Sequence, residues 1–349
     1  MVLFAGCLKD EDLKLKTYEY QPVELNDGWQ TDTVTGNNFN VTAFDELVQE
    51  VYSEDKNLFI RSLLIVYEGK LLAEMYPKDM ADRDEPHQLW SATKSFVSLL
   101  TGIAIDKGYI EDVNDSIFRY LPEYIQYVSN DYLDITIEHC LTMYTGINYD
   151  NDGEEEEELL ARVPDDLTKY ILERPLHATP GTEMFYKNSD PQLLIKVVSN
   201  ASNADFVGFA DTVLFEPLGI HNYFWSRNKD NTPYGGFGLW LTPRDLAKTG
   251  LLLLNEGMWE GNRIISNQWI TEATSFKTNS SYGHDYGYLI WLDDEEGMYW
   301  FWGKGGQFLF VIPGKQLVIV ITSEQFADNG GTSIQEALAF VNTIVSNVR

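Results

Sequence analysis

Apolar positions divide the chain into stretches of different period. Residues 58–65 and 71–76 are short apolar runs joined by Tyr67-Glu68-Gly69-Lys70, which predicts two strands and a turn. Residues 91–107 then read as a helix in which Phe96, Val97, Leu99, Leu100, Ile103, Ala104 and Ile105 leave almost no polar stripe. A helix that is apolar all round belongs in an interior. Gly108, just past its end, is a C-terminal signal. From about 110 to 285 helical patterns and loops dominate, as in 189–199 and 246–255, punctuated by Pro164, Pro175, Pro180-Gly181, Pro217 and Pro243. Beyond 285 the period becomes two. Residues 286–292, 298–302, 307–312 and 317–322 read as strands, with Gly314-Lys315 in a hairpin turn, and 334–348 closes the chain as an amphipathic helix.

Strand material therefore sits at both ends and helical material in the middle. The simplest packing pairs the N-terminal hairpin with the C-terminal strands in one antiparallel sheet whose faces helices cover. The expected fold class is α/β (α+β), with an antiparallel sheet flanked by helices plus a mostly helical lobe. Residues 26–90 and 286–349 would form the sheet lobe and 91–285 the helical lobe, with residues 1–25 an N-terminal tether or signal remnant. Ser91 falls where the chain passes between the lobes, which is where clefts form.

Composition narrows the function classes. The 349 residues suit one large domain or two interleaved ones, and 44% apolar content is ample for a core. The longest apolar runs, such as 96–105, are too short to span a bilayer. Twenty-five basic against fifty-four acidic side chains give a net charge of −29. That field repels nucleic acid and anionic membrane surfaces and disfavours polyanionic substrates. Two cysteines do not make a disulfide framework. Cys140 lies in the apolar pattern Ile135, Ile137, Cys140, Leu141, Met143 and reads as a small buried hydrophobe. Cys7 ends Leu3-Phe4-Ala5-Gly6-Cys7, which resembles the tail of a bacterial lipoprotein signal. A lipid anchor at Cys7 would make residues 9–26 a tether and place the protein in the bacterial cell envelope, periplasm or outside the cell. A cytoplasmic location is the lesser alternative. Asp150-Asn151-Asp152-Gly153 and the acidic run behind it lack the glycine position of an EF-hand and read as a solvated loop, not a metal site.

The candidate chemistry is Ser91-Ala92-Thr93-Lys94. Residues three apart share a helix face, so hydroxyl and amine can meet. A desolvated lysine loses proton affinity and can act as a base near neutral pH. A serine beside such a base is an activated nucleophile, and Ser-x-x-Lys is a known acyl-transfer motif. The bland alternative is a serine N-cap with a snorkelling lysine. The five histidines, His87, His139, His177, His221 and His284, invite a Ser-His-Asp reading, but none accompanies a Gly-x-Ser-x-Gly setting.

Several segments, in order, resemble the serine β-lactamase and penicillin-binding-protein superfamily, class C-like. Leu89-Trp90-Ser91-Ala92-Thr93-Lys94-Ser95-Phe96 resembles its nucleophile motif. Asp106-Lys107-Gly108-Tyr109-Ile110 and Asp115-Ser116-Ile117-Phe118-Arg119-Tyr120-Leu121-Pro122 resemble the stretch that follows. Ile135-Thr136-Ile137-Glu138-His139-Cys140-Leu141-Thr142 and Thr145-Gly146-Ile147 resemble the next helix and its end. Pro180-Gly181-Thr182 followed by Phe185-Tyr186-Lys187-Asn188-Ser189 resembles the Pro-Gly-x-x-x-x-Tyr-Ser-Asn region, and 283–291 and 303–313 the closing strands. Within the superfamily, Gln307-Phe308-Leu309-Phe310-Val311-Ile312-Pro313 and Asp190-Pro191-Gln192-Leu193-Leu194 look most like esterases and 6-aminohexanoate-dimer (nylon oligomer) hydrolases.

The resemblance implies a β-lactamase/transpeptidase-like fold and assigns roles. Ser91 would form an acyl-enzyme, Lys94 would take its proton, and Tyr186 would be the second proton carrier. Asn188 would bond Lys94 or the substrate carbonyl. The backbone N–H of Ser91 would be one oxyanion donor. The third motif has two registers here. One sets Phe301-Trp302-Gly303 on the motif, with the Lys304 N–H as second donor. The other sets Lys304-Gly305-Gly306 on it. Strand spacing favours the first. In that register Phe301 takes the position that often carries a cation, which favours an ester or amide with a neutral acyl part. Tyr149, Trp240 and Trp291 are candidates to line the pocket. The implied function is a serine hydrolase of esters or small amides, a carboxylesterase or amidase without cofactor or metal. The alternatives are a β-lactamase or D-Ala-D-Ala carboxypeptidase, and a non-catalytic binding protein on the same scaffold.

Overall fold

The computed structural model describes residues 18–53, 59–148, 160–162, 165–293, 297–324 and 330–349. Cys7, Tyr149 and the acidic run at 150–158 lie outside them. The main sheet is antiparallel. It contains β1 (Ile60–Tyr67), β2 (Lys70–Met75), β3 (Thr278–Asn279), β4 (Asp285–Tyr286), β5 (Trp291–Asp293), β6 (Met298–Gly303), β7 (Gln307–Ile312) and β8 (Leu317–Ser323). Their order across the sheet is β2-β1-β8-β7-β6-β5-β4-β3. An N-terminal and a C-terminal strand thus pair one strand in from the β2 edge, with Leu63 opposite Ile321 and Ile65 opposite Ile319. The β1–β2 turn has positive φ at both Glu68 (48°) and Gly69 (79°), the backbone that keeps a two-residue hairpin in step with strand twist. Every residue of β7 and β8 is buried. Strands covered on both faces read as unbroken apolar runs, which is why these two were easy to find.

Helices α1 (Val41–Val51) and α6 (Ile334–Asn347) pack on each other. Helix α5 (Pro243–Leu254) lies on β1, β7 and β8, although it falls inside the stretch expected to form the helical lobe. Its Gly250 permits that approach, since a Cβ there would stand 2.4 Å from Val318 Cγ1. Helix α2 (Thr93–Asp106) is buried at every position from Thr93 to Ala104, as its all-round apolar pattern requires. Helix α4 (Ser189–Ser202) packs against both α2 and α3 (Ile137–Thr142). That contact brings the N-terminal ends of α2 and α4 together.

Two expectations need correction. Residues 286–292 do not form one strand, because Gly287–Ile290 breaks it. Leu289 has φ 57°, its N–H donates to Leu141 O at 2.9 Å, and its carbonyl accepts Ser95 Oγ at 2.7 Å. Helices α2 and α3 therefore pull the backbone out of the ladder. Residues 18–25, expected as part of a tether, are docked on the sheet edge. Glu74 N–H donates to Tyr20 O at 2.9 Å, Val23 N–H to Glu74 Oε1 at 2.9 Å, and Arg244 Nη2 to Val23 O at 2.8 Å. Among the described residues no helix is long and apolar enough to cross a membrane.

Candidate active site

Ser91 does not stand inside α2. It occupies a short 3-10 turn, Trp90–Ala92, that leads into the helix. Trp90 has φ 48°, a left-handed backbone that costs a non-glycine residue about 1–3 kcal/mol unless its surroundings impose it. The turn swings the Ser91 side chain to the end of α2, where backbone N–H groups lack intrahelical acceptors.

One helical turn on, Lys94 is 1% exposed. Its Nζ donates to Ser91 Oγ at 2.8 Å, to Asn188 Oδ1 at 2.5 Å and to Gly236 O at 2.9 Å. Burial penalises the ammonium, and these acceptors compensate it. Asn188 immediately precedes α4 and makes no side-chain cap to it, so the α2–α4 packing delivers its side chain to Lys94. Gly236 comes from Gly235-Gly236-Phe237-Gly238, a segment held by Gln192 of α4. Gln192 Oε1 accepts the Gly235 N–H at 2.8 Å, and its Nε2 donates to Pro233 O at 2.8 Å. A Cβ at Gly236 would stand 2.4 Å from Asn188 Oδ1, so a side chain there would displace the asparagine. The Tyr186 ring centroid lies 4.9 Å from Lys94 Nζ.

The opposite wall is the end of β6. Pairing of Phe301 with Leu309 and of Gly303 with Gln307 sets Phe301-Trp302-Gly303 on the strand and Lys304-Gly305-Gly306 on the turn. A Cβ at Gly303 would meet Leu89 O at 2.0 Å, so β6 runs against the segment that leads into Ser91. Phe301 points into the core, 5.6 Å from the Phe96 ring. Lys304 is exposed, with Nζ 5.9 Å from the Trp90 ring centroid.

Behind Tyr186 lies a buried polar layer. Lys187 Nζ stands 3.3 Å from Asp190 Oδ1, and Thr145 Oγ1 donates to the same oxygen at 2.7 Å. Burial raises the Asp190 carboxyl, against the pull of Lys187. Burial also holds the Cys140 thiol far above its ordinary range, consistent with the inert hydrophobe expected there. Tyr286, 6.2 Å from Tyr186 between ring centroids, is likewise pushed up, chiefly by burial.

The structure thus brings Ser91, Lys94, Tyr186 and Asn188 together and sets Gly303 against the segment just before Ser91. Trp291 joins them, 5.5 Å from Tyr186. Trp240 is half-buried, its indole donating to Ser226 Oγ at 3.3 Å, and the neighbouring Leu239 N–H donates to Thr93 Oγ1 at 3.1 Å. Three of the five histidines are engaged elsewhere. His87 bonds Thr322 at 2.8 Å, His139 closes the cap of α3, and His177 faces Glu183 at 3.4 Å. Sequence reasoning missed the Gly236 carbonyl, although the glycine-rich run was a readable signal. It also missed the Lys187–Asp190 pair, which no apolar period marks. Among the described residues no cluster of acidic, histidine and cysteine side chains is arranged to hold a metal ion.

Comparison with known proteins bears on this geometry. Residues 61–341 match the Beta-lactamase family. The chain is 26% identical over 223 residues to the 6-aminohexanoate-dimer hydrolase of Paenarthrobacter ureafaciens, a match covering 60% of this chain and 55% of that protein. It spans about half the length, or less, of the curated relatives it matches. A family VIII carboxylesterase of known structure superposes with a TM-score of 0.71 at 16% identity, over 90% of this chain and 99% of that one. The D-alanine carboxypeptidase AmpC from Burkholderia cenocepacia superposes with a TM-score of 0.66 at 16% identity, over 88% and 99%. At such identities the superpositions speak for the fold alone. The family match, which runs from β1 into α6 and takes in the whole constellation around Ser91, shows that the chain belongs to the Beta-lactamase family.

Proposed function

We propose that the protein is a serine hydrolase that cleaves esters or small amides through an acyl-enzyme on Ser91. The observation that carries this reading is the 2.8 Å hydrogen bond between the buried Lys94 Nζ and Ser91 Oγ. In the neutral form Lys94 takes the Ser91 proton as Oγ attacks the carbonyl carbon. Asn188 and the Gly236 carbonyl hold the lysine in place. Tyr186, whose ring lies beside Lys94, passes a proton to the leaving group and later helps activate water. The N–H groups of Ser91 and Lys304 receive the oxyanion, a role supported by the close approach of Gly303 to the segment before Ser91. Burial of Phe301 removes a cation from that strand position and favours a neutral acyl part. The names of the similar hydrolase and carboxylesterase fit amide and ester substrates. The Cys7 pattern supports a place in the bacterial envelope or outside the cell.

One observation favours a second reading. The Lys304 ammonium lies over Trp90, next to Ser91, where it suits a substrate carboxylate such as that of a penicillin or a D-Ala-D-Ala peptide. The test is direct. Ser91→Ala is expected to lower p-nitrophenyl ester hydrolysis by about a thousandfold or more, and a fluorophosphonate adduct should map to Ser91 by mass spectrometry. Intact activity in Ser91→Ala, or no adduct on Ser91, overturns the proposal. Nitrocefin turnover or a stable penicilloyl adduct moves it to the second reading.

A further inference from the structure

The aromatic rings beside Ser91 form one continuous face. It starts at Tyr186, 4.9 Å from Lys94 Nζ. Tyr282 lies 5.5 Å from Tyr186, and Trp302 lies 5.8 Å from Tyr282. Trp291 backs all three, 5.5 Å from Tyr186, 5.7 Å from Tyr282 and 5.1 Å from Trp302. Trp302 is followed by Gly303, which abuts Leu89 O just before Ser91. The face therefore runs from the lysine round to the end of β6 and closes one side of the serine.

Its layers differ in exposure. Trp291 is buried, Tyr186 and Trp302 are partly exposed, and Tyr282 is 55% exposed. His284 completes the rim, 6.1 Å from Trp302, and burial lowers the proton affinity of its imidazole. Tyr282 meets Tyr186, Trp291 and Trp302 edge to face, at 78°, 88° and 72°, and Trp291 is tilted against Tyr186 and Trp302. Rings packed on one another leave no central gap to encircle a cation. They offer outward ring surface, which suits stacking of a planar group.

The side of the serine matters. Resting on the acyl-enzyme reading above, Tyr186 protonates the departing group, so a face that begins at Tyr186 flanks the leaving group and not the acyl chain. We infer that Tyr186, Tyr282 and Trp302 form a leaving-group subsite for a planar aromatic alcohol or amine, which makes aryl esters and anilides the substrate class. The step balances. The Ser91 proton passes through Lys94 and Tyr186 to the departing oxygen or nitrogen as the Ser91 Oγ–carbon bond forms and the carbonyl carbon–aryloxy or carbon–anilide bond breaks. Water then splits the acyl-serine to the acid and restores the hydroxyl.

The experiment compares two esters with one acyl group, phenyl butanoate and trifluoroethyl butanoate, on the full chain. Tyr282→Ser and Trp302→Leu are each expected to lower the ratio of kcat/KM for phenyl over trifluoroethyl by about tenfold, mainly through KM for the phenyl ester. Equal losses on both esters overturn the inference. Binding of 2-naphthol, read by quenching of tryptophan fluorescence, decides the matter without turnover. Weaker binding in Tyr282→Ser supports the subsite, and equal binding overturns it. If neither ester is hydrolysed and Ser91 takes no adduct, the acyl-enzyme reading fails while naphthol binding still decides the face.

Discussion

Two of the buried lysines, Lys94 and Lys187, answer the same physical problem differently. Lys94 donates to Ser91, Asn188 and the Gly236 carbonyl, three neutral acceptors. Lys187 faces a carboxylate, Asp190, at 3.3 Å, and neither side chain is exposed. Lys187 Nζ and Asp190 Oδ2 carry no directed hydrogen bond to the described protein. Removing one member of a buried pair leaves a bare charge in low dielectric, whereas replacing both with apolar groups of similar volume is close to neutral. Asp190→Ala is therefore expected to cost about 3–5 kcal/mol by urea denaturation, and Lys187→Met with Asp190→Leu to recover most of it. A double variant as unstable as Asp190→Ala would show that the pair is not the unit of stability. Lys94 was legible in the sequence because it follows a serine at the mouth of an all-apolar helix. Lys187 was not, because Met184-Phe185-Tyr186-Lys187-Asn188 has no period that tells an inward lysine from an outward one.

Among elements, legibility followed burial pattern and turn chemistry. Strands β6, β7 and β8 were found within a residue or so because their apolar runs are unbroken and glycines mark the turns between them. The kink between β4 and β5 was hidden, since Tyr286-Gly287-Tyr288-Leu289-Ile290-Trp291 is apolar whether extended or bent. Tertiary bonds from Leu141 and Ser95 decide it. The 3-10 turn before α2 was hidden for a related reason, as a positive φ at a tryptophan has no sequence signal. Strand pairing favoured the register that sets Gly303 at the end of β6, and one side chain steadies that end. Gln307, the ladder partner of Gly303, donates Nε2 to Ser323 O at 2.7 Å and accepts the Ser323 N–H at 3.3 Å. It thereby continues the β7–β8 ladder by one more pair, beneath the turn Lys304-Gly305-Gly306. Gln307→Leu leaves both Ser323 backbone groups unpaired in the interior and is expected to cost about 1–3 kcal/mol. If the turn presents the second oxyanion donor, ester hydrolysis should lose more in kcat than in KM. A variant that changes KM alone would place the oxyanion donor elsewhere.

At the scale of the molecule, the notable device is the strap that binds residues 18–30 to the edge of the sheet. Strand β2 is an edge, and an unpaired edge invites pairing with other chains. The strap covers it with backbone bonds from Tyr20 and Gln30, and Arg244 of α5 fastens the strap from behind. The guanidinium donates to Glu74 through Nε at 2.8 Å and Nη2 at 2.6 Å, to Asp27 through Nη1 at 2.7 Å and to Val23 O at 2.8 Å. Burial opposes the guanidinium charge, yet the bonds to Glu74 and Asp27 more than offset it and raise its affinity for the proton. One cation thus joins strand, helix and strap in a chain that carries fifty-four acidic side chains against twenty-five basic ones. That imbalance makes the loss of a buried cation severe, because Glu74 is left among like charges and away from water. Arg244→Met is expected to cost about 3–5 kcal/mol, a large share of the roughly 5–15 kcal/mol that holds a typical domain folded. Hydrogen exchange should quicken first in residues 18–30 and β2, while α2 keeps its protection until global unfolding. Uniform acceleration across the chain would mean that the strap and the core unfold as one unit, and no acceleration at β2 would mean that Arg244 does not fasten it.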